Sequence, residues 1–396
     1  MSEITLYWIA TLVPMVVLPM VLPMVVLMAR RKRMTDNPSR RKTQERPVAV
    51  MGGTVVVLVL AVSLIIVNMF YDITDLFSFV GLMIVFYVFG MLDDNIGLSW
   101  KFKLCLQVVA ILLLFFGSNY GVHSLYSLFP DREFPLWLSL VVTLVVGLLL
   151  FNAVNFADGI DGLATGQAVL TALVMGHWNL LHAFVVQSIL SYAMLGVLLS
   201  FFMYNVFSTR YKIYLGDSGS LVLGLFVYIL VCPEYAGTMT GDMLVDHYYV
   251  SFVVTLLSAM IFDLVRVVLW RLVCGGSPFR PDRSHLHHVY VDLGMSHFMA
   301  TMTILLTNVV ALLFWHATAL RGLSQLAQLL LVLGFCALLY WGPFFYVTYL
   351  RAHRMQHYRR LSMRVRCVNK GFVAVHDFIR RIIDGIHFPR ISHEIE

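Results

Sequence analysis

The sequence predicts an all-α integral membrane protein, a polytopic bundle of about eleven transmembrane helices. Of its 396 residues, 60% are hydrophobic and only 13% are charged, and the mean hydropathy is +0.82. Soluble globular chains average about 25% charged residues. Apolar segments recur at lengths close to the ~20 residues that cross the hydrocarbon core, and Lys and Arg are concentrated in alternate connections. These observations exclude a soluble globular domain.

Eleven apolar segments follow one another along the chain. They are 5–29, 47–69, 76–92, 103–119, 135–154, 163–180, 183–204, 217–232, 249–272, 298–318 and 326–350. The first contains Pro14, Pro19 and Pro23, which predict kinks that neighbouring helices relieve. The N-terminus lacks a basic stretch before this segment, so we expect a retained helix and not a cleaved signal peptide.

The distribution of basic residues predicts the orientation. Five connecting segments carry 26 of the 28 Lys and Arg residues: 30–46, 93–103, 205–217, 266–297 and 351–396. Only Arg132 and Arg321 fall on the other side. The positive-inside rule therefore places these five segments in the cytoplasm, the N-terminus outside and the C-terminus inside.

Two parts of the chain are expected: a membrane-embedded domain over 1–350 and a basic cytoplasmic tail over 351–396. The tail mixes basic with apolar residues, as in Val373–Ile383. It either forms one or two amphipathic helices on anionic lipid or is a solvated tail. The five cysteines are odd in number and lack CxxC spacing, which argues against a disulfide or zinc framework.

The stretch Phe151–Gly166, FNAVNFADGIDGLATG, combines amides and acids at the inner end of the fifth segment. Asn152, Asn155 and Asp158 are spaced i, i+3, i+6, which places them along one helical face, and Asp161 extends the series. A polar loop with Asx turns is the alternative. Turn chemistry does not require acids and amides in helical register, so the spacing favours a functional site.

Three further polar clusters lie at the same predicted cytoplasmic boundary. The paired acids Asp93 and Asp94 end the third segment, where a solvated helix end beside Lys101 or Lys103 is the alternative. Asp217 lies in a Gly-Asp-Ser-Gly turn that opens the eighth segment, where it could hold a phosphate-bound metal or act as a plain N-cap. The last cluster is the segment 277–288, SPFRPDRSHLHH.

Arg and His suit phosphate oxygens, whereas a histidine metal site is the rival interpretation of 277–288. The other candidate ligands are hard oxygens, which suit Mg²⁺ or Mn²⁺ better than zinc. Together the four clusters predict a site for a Mg²⁺-bound diphosphate at the cytosolic boundary, with an apolar groove for a lipid tail. This points to phosphoryl transfer between a soluble nucleotide and a membrane lipid.

Six motifs follow one another along the chain: Arg40-Arg-Lys42 with Met51-Gly-Gly53, Leu92-Asp-Asp94 with Gly97-Leu-Ser99 and Lys103, Asn152-Ala-Val-Asn155 through Asp158-Gly-Ile-Asp161-Gly-Leu-Ala164, Tyr204-Asn205, Gly216-Asp-Ser-Gly219 and His285-Leu-His-His288. In these motifs and in their order, the chain resembles the polyprenyl-phosphate N-acetylhexosamine-1-phosphate transferases over nearly all of its length up to about residue 350. The family moves a sugar 1-phosphate from a UDP-sugar to a polyprenyl phosphate and releases UMP. The segment 277–288 resembles the branch that starts O-antigen, enterobacterial common antigen or teichoic-acid type polymers with UDP-GlcNAc.

The resemblance implies roles for individual residues. Asp217, helped by Asn155, corresponds to the Mg²⁺ ligands, and Mn²⁺ can substitute. Asp161, Asn205 and Tyr214 correspond to uridine contacts, with Tyr214 stacked on uracil. The acids next to the reacting phosphates would be Asp93, Asp94 and Asp158. The contacts to the diphosphate and the sugar would be Lys103, Arg283, His285, His287 and His288.

The resemblance also implies partners and a location. The partners would be a UDP-N-acetylhexosamine, undecaprenyl phosphate and membrane lipid, with no nucleic acid and with a homodimer possible. The location would be the bacterial cytoplasmic (inner) membrane, with the active site on the cytoplasmic face. Muramyl-pentapeptide 1-phosphate transfer is an alternative reaction, and a membrane transporter is an alternative class. Transporters usually place their coupling acids near the midplane, on broken helices. The acids here lie at the cytoplasmic ends of the predicted spans, and Asp263 is the one carboxylate well inside a predicted helix.

Overall fold

The structure, a computed structural model, describes most of the chain. The described residues are 3–36, 47–69, 75–117, 120–125, 128, 133–182, 184–232, 247–277 and 283–385. The basic motif at 40–42 and most of the segment 277–282 therefore lie outside the described residues. So does the end of the tail.

Helices account for nearly all of the described structure. They are α1 (Glu3–Arg31), α2 (Gly52–Asn68), α3 (Asp75–Ile96), α4 (Trp100–Gly117), α5 (Leu136–Ala157), α6 (Leu163–Leu181), α7 (Val185–Phe207), α8 (Gly216–Val231), α9 (Tyr249–Leu256), α10 (Ser258–Val273), α11 (Leu286–Leu293), α12 (His297–Ala319), α13 (Gln325–His353) and α14 (Met355–Gly385). Each of the eleven apolar segments contains a helix.

Seven of the described helices are long and apolar enough to cross a membrane: α1, α3, α4, α5, α7, α12 and α13. The pair α9 and α10, bent by 77°, could form an eighth span, and α2 and α8 are shorter apolar helices. A polytopic helical membrane protein is confirmed. The number eleven and the orientation of the termini stay predictions.

One small sheet interrupts the helical pattern. β1 (Thr35–Asp36) pairs antiparallel with β2 (Val48–Val50), and β2 pairs parallel with β3 (Ile213–Tyr214). The sequence analysis missed these strands because two or three residues are too few for a period-2 pattern. The sheet places the start of α2 beside the segment that leads into α8.

The chain forms two compact units. The first contains 1–96, 172–222 and 371–396, and the second contains 97–171 and 223–370. In the first unit α1 packs along α7, where Gly196 lies against the backbone of Thr11 and the Ser200 hydroxyl donates to the Met15 carbonyl at 2.8 Å. Internal prolines do not interrupt α1, which is one helix from end to end.

In the second unit, polar side chains form hydrogen bonds to the backbone at the break between α9 and α10. The Leu256 carbonyl accepts hydrogen bonds from the side-chain amides of Gln167 and Asn308, each at 2.8 Å. The Asn308 carbonyl oxygen accepts from the hydroxyls of Ser258 at 2.7 Å and Tyr340 at 3.0 Å. Irregular backbone at membrane depth is tolerated only where protein groups satisfy it. The ninth segment, predicted as one continuous span, is therefore two helices, and side-chain hydrogen bonds stabilise the break between them.

In the tail predicted over 351–396, residues 351–353 are still the end of α13, and Met355–Gly385 form one long helix, α14. Its first half packs in the second unit, where Ser362 donates to the Leu293 carbonyl at 2.7 Å and Asn369 accepts from the Ser296 N–H at 2.9 Å. Its last turns belong to the first unit. The choice between a lipid-bound and a solvated outer surface stays open.

Candidate active site

In the first unit, the acid pair that ends α3 meets the start of α8. The Asp94 carboxylate accepts the backbone N–H groups of Asp217 at 2.8 Å and Ser218 at 3.0 Å. The first N–H groups of a helix have no partner within that helix, so Asp94 caps α8 from another helix. It thereby holds the turn that carries Asp217.

Glycines allow the close approach that this cap requires. A Cβ on Gly90 of α3 would collide with the Ser218 backbone, and a Cβ on Gly53 would lie 2.5 Å from the Gly219 nitrogen. The Gly53 N–H also donates to the Leu215 carbonyl at 2.9 Å. The Met51-Gly-Gly53 motif and the Gly-Asp-Ser-Gly turn are therefore packed directly against each other, and no side chain larger than that of glycine fits at Gly53 or Gly90.

Two predicted uridine contacts lie in the segment that leads into the same turn. Asn205 is buried near the end of α7, and its amide donates to the Ile213 carbonyl at 2.8 Å. Tyr214 follows in β3 and is partly buried, with the Lys212 ammonium 5.9 Å from the centre of its ring. The first unit thus brings Asp94, Asn205, Tyr214 and Asp217 to one place. Asp93 is buried, with 5% of its surface exposed.

In the second unit, the acids and amides of 151–166 lie where α5 ends. Asp158 is the C-cap residue of α5, and its N–H donates to the Asn155 carbonyl at 3.3 Å. Asp161 accepts from the His297 ring at 3.2 Å through its carboxylate and from the Thr301 hydroxyl at 2.9 Å through its carbonyl. The predicted helical face therefore continues only to Asp158, and α12 holds Asp161.

Asn152, the first amide of this series, turns toward a neighbouring helix. Its amide donates to the Gln107 side chain of α4 at 2.9 Å. Lys103 lies four residues before Gln107 on α4 and is partly buried. The contact between Asn152 and Gln107 fixes α4 against α5 in this part of the second unit.

The histidine motif is anchored by a carboxylate of α10. The His285 Nδ1 lies 2.9 Å from Asp263, and the other Asp263 oxygen binds the Arg266 guanidinium at 2.6 Å. Arg266 also donates to the Ser284 carbonyl at 2.7 Å. Because an ionised carboxylate only accepts, His285 donates from Nδ1 and turns its Nε2 away from Asp263. The Phe156 ring stacks on His285 at 5.1 Å between ring centres.

His287 packs against the 151–166 motif. It is buried, with 2% of its surface exposed, and a Cβ on Gly159 would collide with its Nε2. Burial, followed by the neighbouring His288, lowers the pKa of His287 to about 3. A ring that is neutral at physiological pH supplies a hydrogen bond and no charge. A cavity of about 20 Å³, room for about one water, lies here between Asp263, His285 and His287.

The remaining members of the motif are more open. Arg283 has 59% of its side chain exposed and lies 3.2 Å from Asp292. Burial, followed by the charge of Arg283, lowers the pKa of His288. Among the residues of 277–288 that the structure describes, Arg283 is therefore an exposed cation that can meet an anionic ligand.

Sequence reasoning missed the residues that support these side chains. Asp263 was noted only as a carboxylate inside a helix, and Arg266, His297 and Thr301 were not singled out. A signal was present for the first pair, because Asp263 and Arg266 are spaced i, i+3 in an otherwise apolar segment. Nothing in the sequence links His297 or Thr301 to Asp161, more than 130 positions earlier.

Within the described residues, no group of three or more His, Cys, Asp or Glu side chains is arranged to hold a metal ion. Mg²⁺ is usually held by one or two carboxylates together with substrate phosphates and water. Asp217 of the first unit carries a carboxylate and Asn155 of the second unit carries an amide oxygen, and each is a hard oxygen of the kind that this ion prefers. A zinc site built from the histidine motif would need a preformed set of ligands.

Comparison with known proteins shows a similarity to one family of glycosyl transferases. Residues 76–233 match the sequence profile of glycosyl transferase family 4. This range contains the acid pair, the 151–166 motif and the Gly-Asp-Ser-Gly turn, whereas the histidine motif lies beyond it.

Named relatives extend the match over most of the chain. The probable undecaprenyl-phosphate N-acetylglucosaminyl 1-phosphate transferase of Bacillus subtilis (strain 168) is 28% identical over 76% of this chain and 82% of that protein. The undecaprenyl-phosphate alpha-N-acetylglucosaminyl 1-phosphate transferase of Escherichia coli (strain K12) is 28% identical over 72% and 76%. The decaprenyl-phosphate N-acetylglucosaminephosphotransferase of Mycobacterium leprae (strain TN) is 27% identical over 72% and 76%. The chain is therefore similar, over about three quarters of its length, to polyprenyl-phosphate N-acetylglucosaminyl 1-phosphate transferases.

Proposed function

We propose that this protein transfers GlcNAc-1-phosphate from UDP-GlcNAc to undecaprenyl phosphate and releases UMP. The reaction would be the first membrane step of a cell-envelope polysaccharide. The observation that carries the proposal is the Asp94-capped turn bearing Asp217, which lies inside the matched family range and directly follows the segment that contains the two uridine candidates Asn205 and Tyr214. The names of the relatives support GlcNAc as the sugar and a polyprenyl phosphate as the acceptor.

Asp217 and Asn155 would supply oxygen ligands to Mg²⁺, and Mn²⁺ could replace it. A bound divalent ion neutralises the charge of a diphosphate during transfer. Support comes from the position of Asp217 in the first turn of α8, because the positive end of a helix favours phosphate oxygens.

The uridine would be held by Asn205, Tyr214 and Asp161, with the Tyr214 ring stacked on the base. Lys103, Arg283, His285, His287 and His288 would contact the diphosphate and the sugar. In this group Arg283 provides charge, whereas the buried, neutral His287 provides a hydrogen bond.

We favour direct attack in one step. An oxygen of undecaprenyl phosphate attacks the sugar-bearing phosphorus and forms the new P–O bond, while the bond from that phosphorus to the bridging oxygen breaks and UMP leaves. A phosphate monoester has a second pKa near ~6, so the acceptor is already largely a dianion at neutral pH. The acids Asp93, Asp94 and Asp158 then position groups next to the reacting phosphates and have little proton to remove.

Two alternatives are separable by substrate. Muramyl-pentapeptide 1-phosphate transfer would use a different UDP-sugar with the same acceptor. For a transporter, Asp263 would be the coupling acid, but it is paired with Arg266 and His285, which gives it a structural explanation. A protein that moves an ion through the membrane would also release no UMP.

The decisive experiment uses purified full-length protein in detergent with Mg²⁺, undecaprenyl phosphate and a panel of UDP-sugars, scored for UMP release. UDP-GlcNAc should be turned over and UDP-MurNAc-pentapeptide should not. EDTA should stop the reaction, and Mg²⁺ or Mn²⁺ should restore it. Absence of UMP release with every UDP-N-acetylhexosamine would refute the proposal that the protein is an enzyme of this kind. Preference for UDP-MurNAc-pentapeptide would show that the donor sugar is not GlcNAc.

Asp217→Asn tests the metal assignment in the same assay. The change preserves the size of the side chain and removes the charge, so we expect normal expression and loss of turnover. Full activity of Asp217→Asn at saturating metal would contradict the role. The reaction is placed on the cytoplasmic face of the bacterial inner membrane, where UDP-sugars are available, and a homodimer remains part of the proposal.

A further inference from the structure

The last turn of α14 holds the segment that follows α7. The Asp384 carboxylate accepts five hydrogen bonds from three consecutive residues. They come from the Ser208 hydroxyl at 2.7 Å, the Thr209 N–H at 3.2 and 3.1 Å to the two oxygens, the Thr209 hydroxyl at 2.6 Å and the Arg210 N–H at 3.3 Å. One tail residue thus binds a turn that is about 175 positions earlier in the chain.

Two more contacts keep this end of α14 in place. The His376 ring bonds the Val206 carbonyl at 3.0 Å and lies 5.3 Å from the Phe207 ring, centre to centre. Ile383, next to Asp384, is buried. The Arg30 guanidinium of α1 binds the Arg210 carbonyl at 2.8 Å on the outer side of the turn.

The charge state of Asp384 suits this role. Partial burial alone would raise the pKa of its carboxyl, but the hydrogen bonds from Thr209 and Ser208 lower it below the usual range. The group is therefore an anion at neutral pH. Only an ionised carboxylate accepts hydrogen bonds at both oxygens without donating one.

The held segment connects the nucleotide candidates of the first unit. It consists of residues 208–210, so it begins three residues after Asn205 and ends four residues before Tyr214. Within it the Ser208 hydroxyl also accepts the Tyr211 N–H at 2.9 Å, which carries the restraint of Asp384 toward β3. Asn205 in turn binds the Ile213 carbonyl. The path from Asp384 to Tyr214 therefore consists of consecutive hydrogen bonds and four residues of backbone.

We propose that Asp384 is a positioning residue for the UDP-sugar, which acts through the turn 208–211 on Asn205 and Tyr214. It touches no substrate. Its effect is to keep the nucleotide-binding segment ordered before the donor arrives, so that the cost of ordering is not subtracted from donor binding. The inference rests on the proposed function and extends it to a residue well outside the matched range 76–233.

The test compares Asp384→Ala and Asp384→Asn with a matched control in full-length protein in detergent. Asp377→Asn removes the other acid of α14, whose ion pairs are with His376 and Arg380 of its own helix. Asp384→Ala removes hydrogen bonds to a charged acceptor, so it should raise the KM for UDP-GlcNAc about tenfold. The KM for undecaprenyl phosphate should not change, and Asp377→Asn should match wild type in both constants. Asp384→Asn should be intermediate, because it retains one acceptor oxygen.

A donor-specific KM effect is what distinguishes positioning from general stability. Equal loss in both KM values together with a lower melting temperature, or an unchanged KM for UDP-GlcNAc in Asp384→Ala, would overturn the proposal. Amide hydrogen exchange over 206–214 tests, without any catalytic turnover, the clamp that the hydrogen bonds of Asp384 to 208–210 form. Exchange there should accelerate in Asp384→Ala and not in Asp377→Asn. If wild type releases no UMP, the proposed function has failed, whereas unchanged exchange in Asp384→Ala refutes the clamp itself.

Discussion

Tyr214 is the residue whose proposed role depends most simply on its ring. Stacking of an aromatic side chain on a base is worth roughly 1–3 kcal/mol by truncation. Tyr214→Ala should therefore raise the KM for the UDP-sugar by about one to two orders of magnitude. Tyr214→Phe should retain most of the affinity. Steady-state kinetics with varied donor provide the measurement, and equal losses in the two variants would assign the effect to the hydroxyl.

The two acids near the end of α3, Asp93 and Asp94, are expected to have different roles. Asp94 accepts the N–H groups of Asp217 and Ser218 on its two different oxygens, so an amide in its place would turn its NH₂ toward one of these donors and lose that bond. We expect Asp94→Asn to be slow at pH 7 and still slow at pH 9, because the defect is in the turn that carries Asp217. The measurement is the pH–rate profile of Asp94→Asn beside Asp93→Asn.

Recovery of the Asp94→Asn rate at pH 9 would mean instead that this acid removes a proton from the acceptor, since the lipid phosphate is fully ionised there. Trapping of a phosphorylated aspartate after mixing with UDP-GlcNAc alone would refute direct attack, because only a two-step route forms that species.

At the scale of elements, the joint between α9 and α10 depends on Asn308. Its side chain satisfies the Leu256 carbonyl, the Ala259 N–H and two hydroxyls, all buried. Gln167 would still bind the Leu256 carbonyl, and the Ser258 and Tyr340 hydroxyls lie 3.2 Å apart, but Asn308→Leu would leave the Ala259 N–H and one hydroxyl proton without their acceptor, at about 1–3 kcal/mol each. We expect a clearly lower melting temperature in detergent. Thr307→Val is the control, because Thr307 bonds only the Thr303 carbonyl of its own helix. Equal melting temperatures for the two variants would show that the joint does not need the amide.

The helices themselves were predictable, because the ~20-residue apolar period of a membrane span is long and repeated. Asp217 at a helix start and the acids at helix ends were predictable for the same reason, since polar residues interrupt an apolar pattern. The break at Leu256–Ser258 was not, because its residues are apolar or small and the groups that stabilise it, Gln167 and Asn308, lie in other helices. Likewise, no local pattern indicates that Asp94 caps α8 or that Asp384 binds the turn after α7.

At the scale of the whole molecule, the orientation can be tested with the protein's own cysteines. Cys274 and Cys367 are exposed and lie in segments predicted to be cytoplasmic. Between them the chain passes through α12 and α13, both long and apolar enough to span. Two crossings return the chain to the starting face, so these cysteines should share one side whatever the total number of spans. Leu320, which follows α12 and is exposed, should lie on the opposite side.

The measurement is labelling with a membrane-impermeant maleimide in variants that keep a single cysteine. Cys274 and Cys367 should react in inside-out vesicles and not in intact spheroplasts, and Leu320→Cys should show the reverse. Labelling of Cys274 and Cys367 from the outside would invert the orientation that the positive-inside rule predicts. Labelling of the two from different faces would mean that α12 or α13 does not cross the membrane. Either result would also move the histidine motif at 285–288, which lies eleven residues after Cys274 in the sequence, away from a cytoplasmic supply of UDP-sugar.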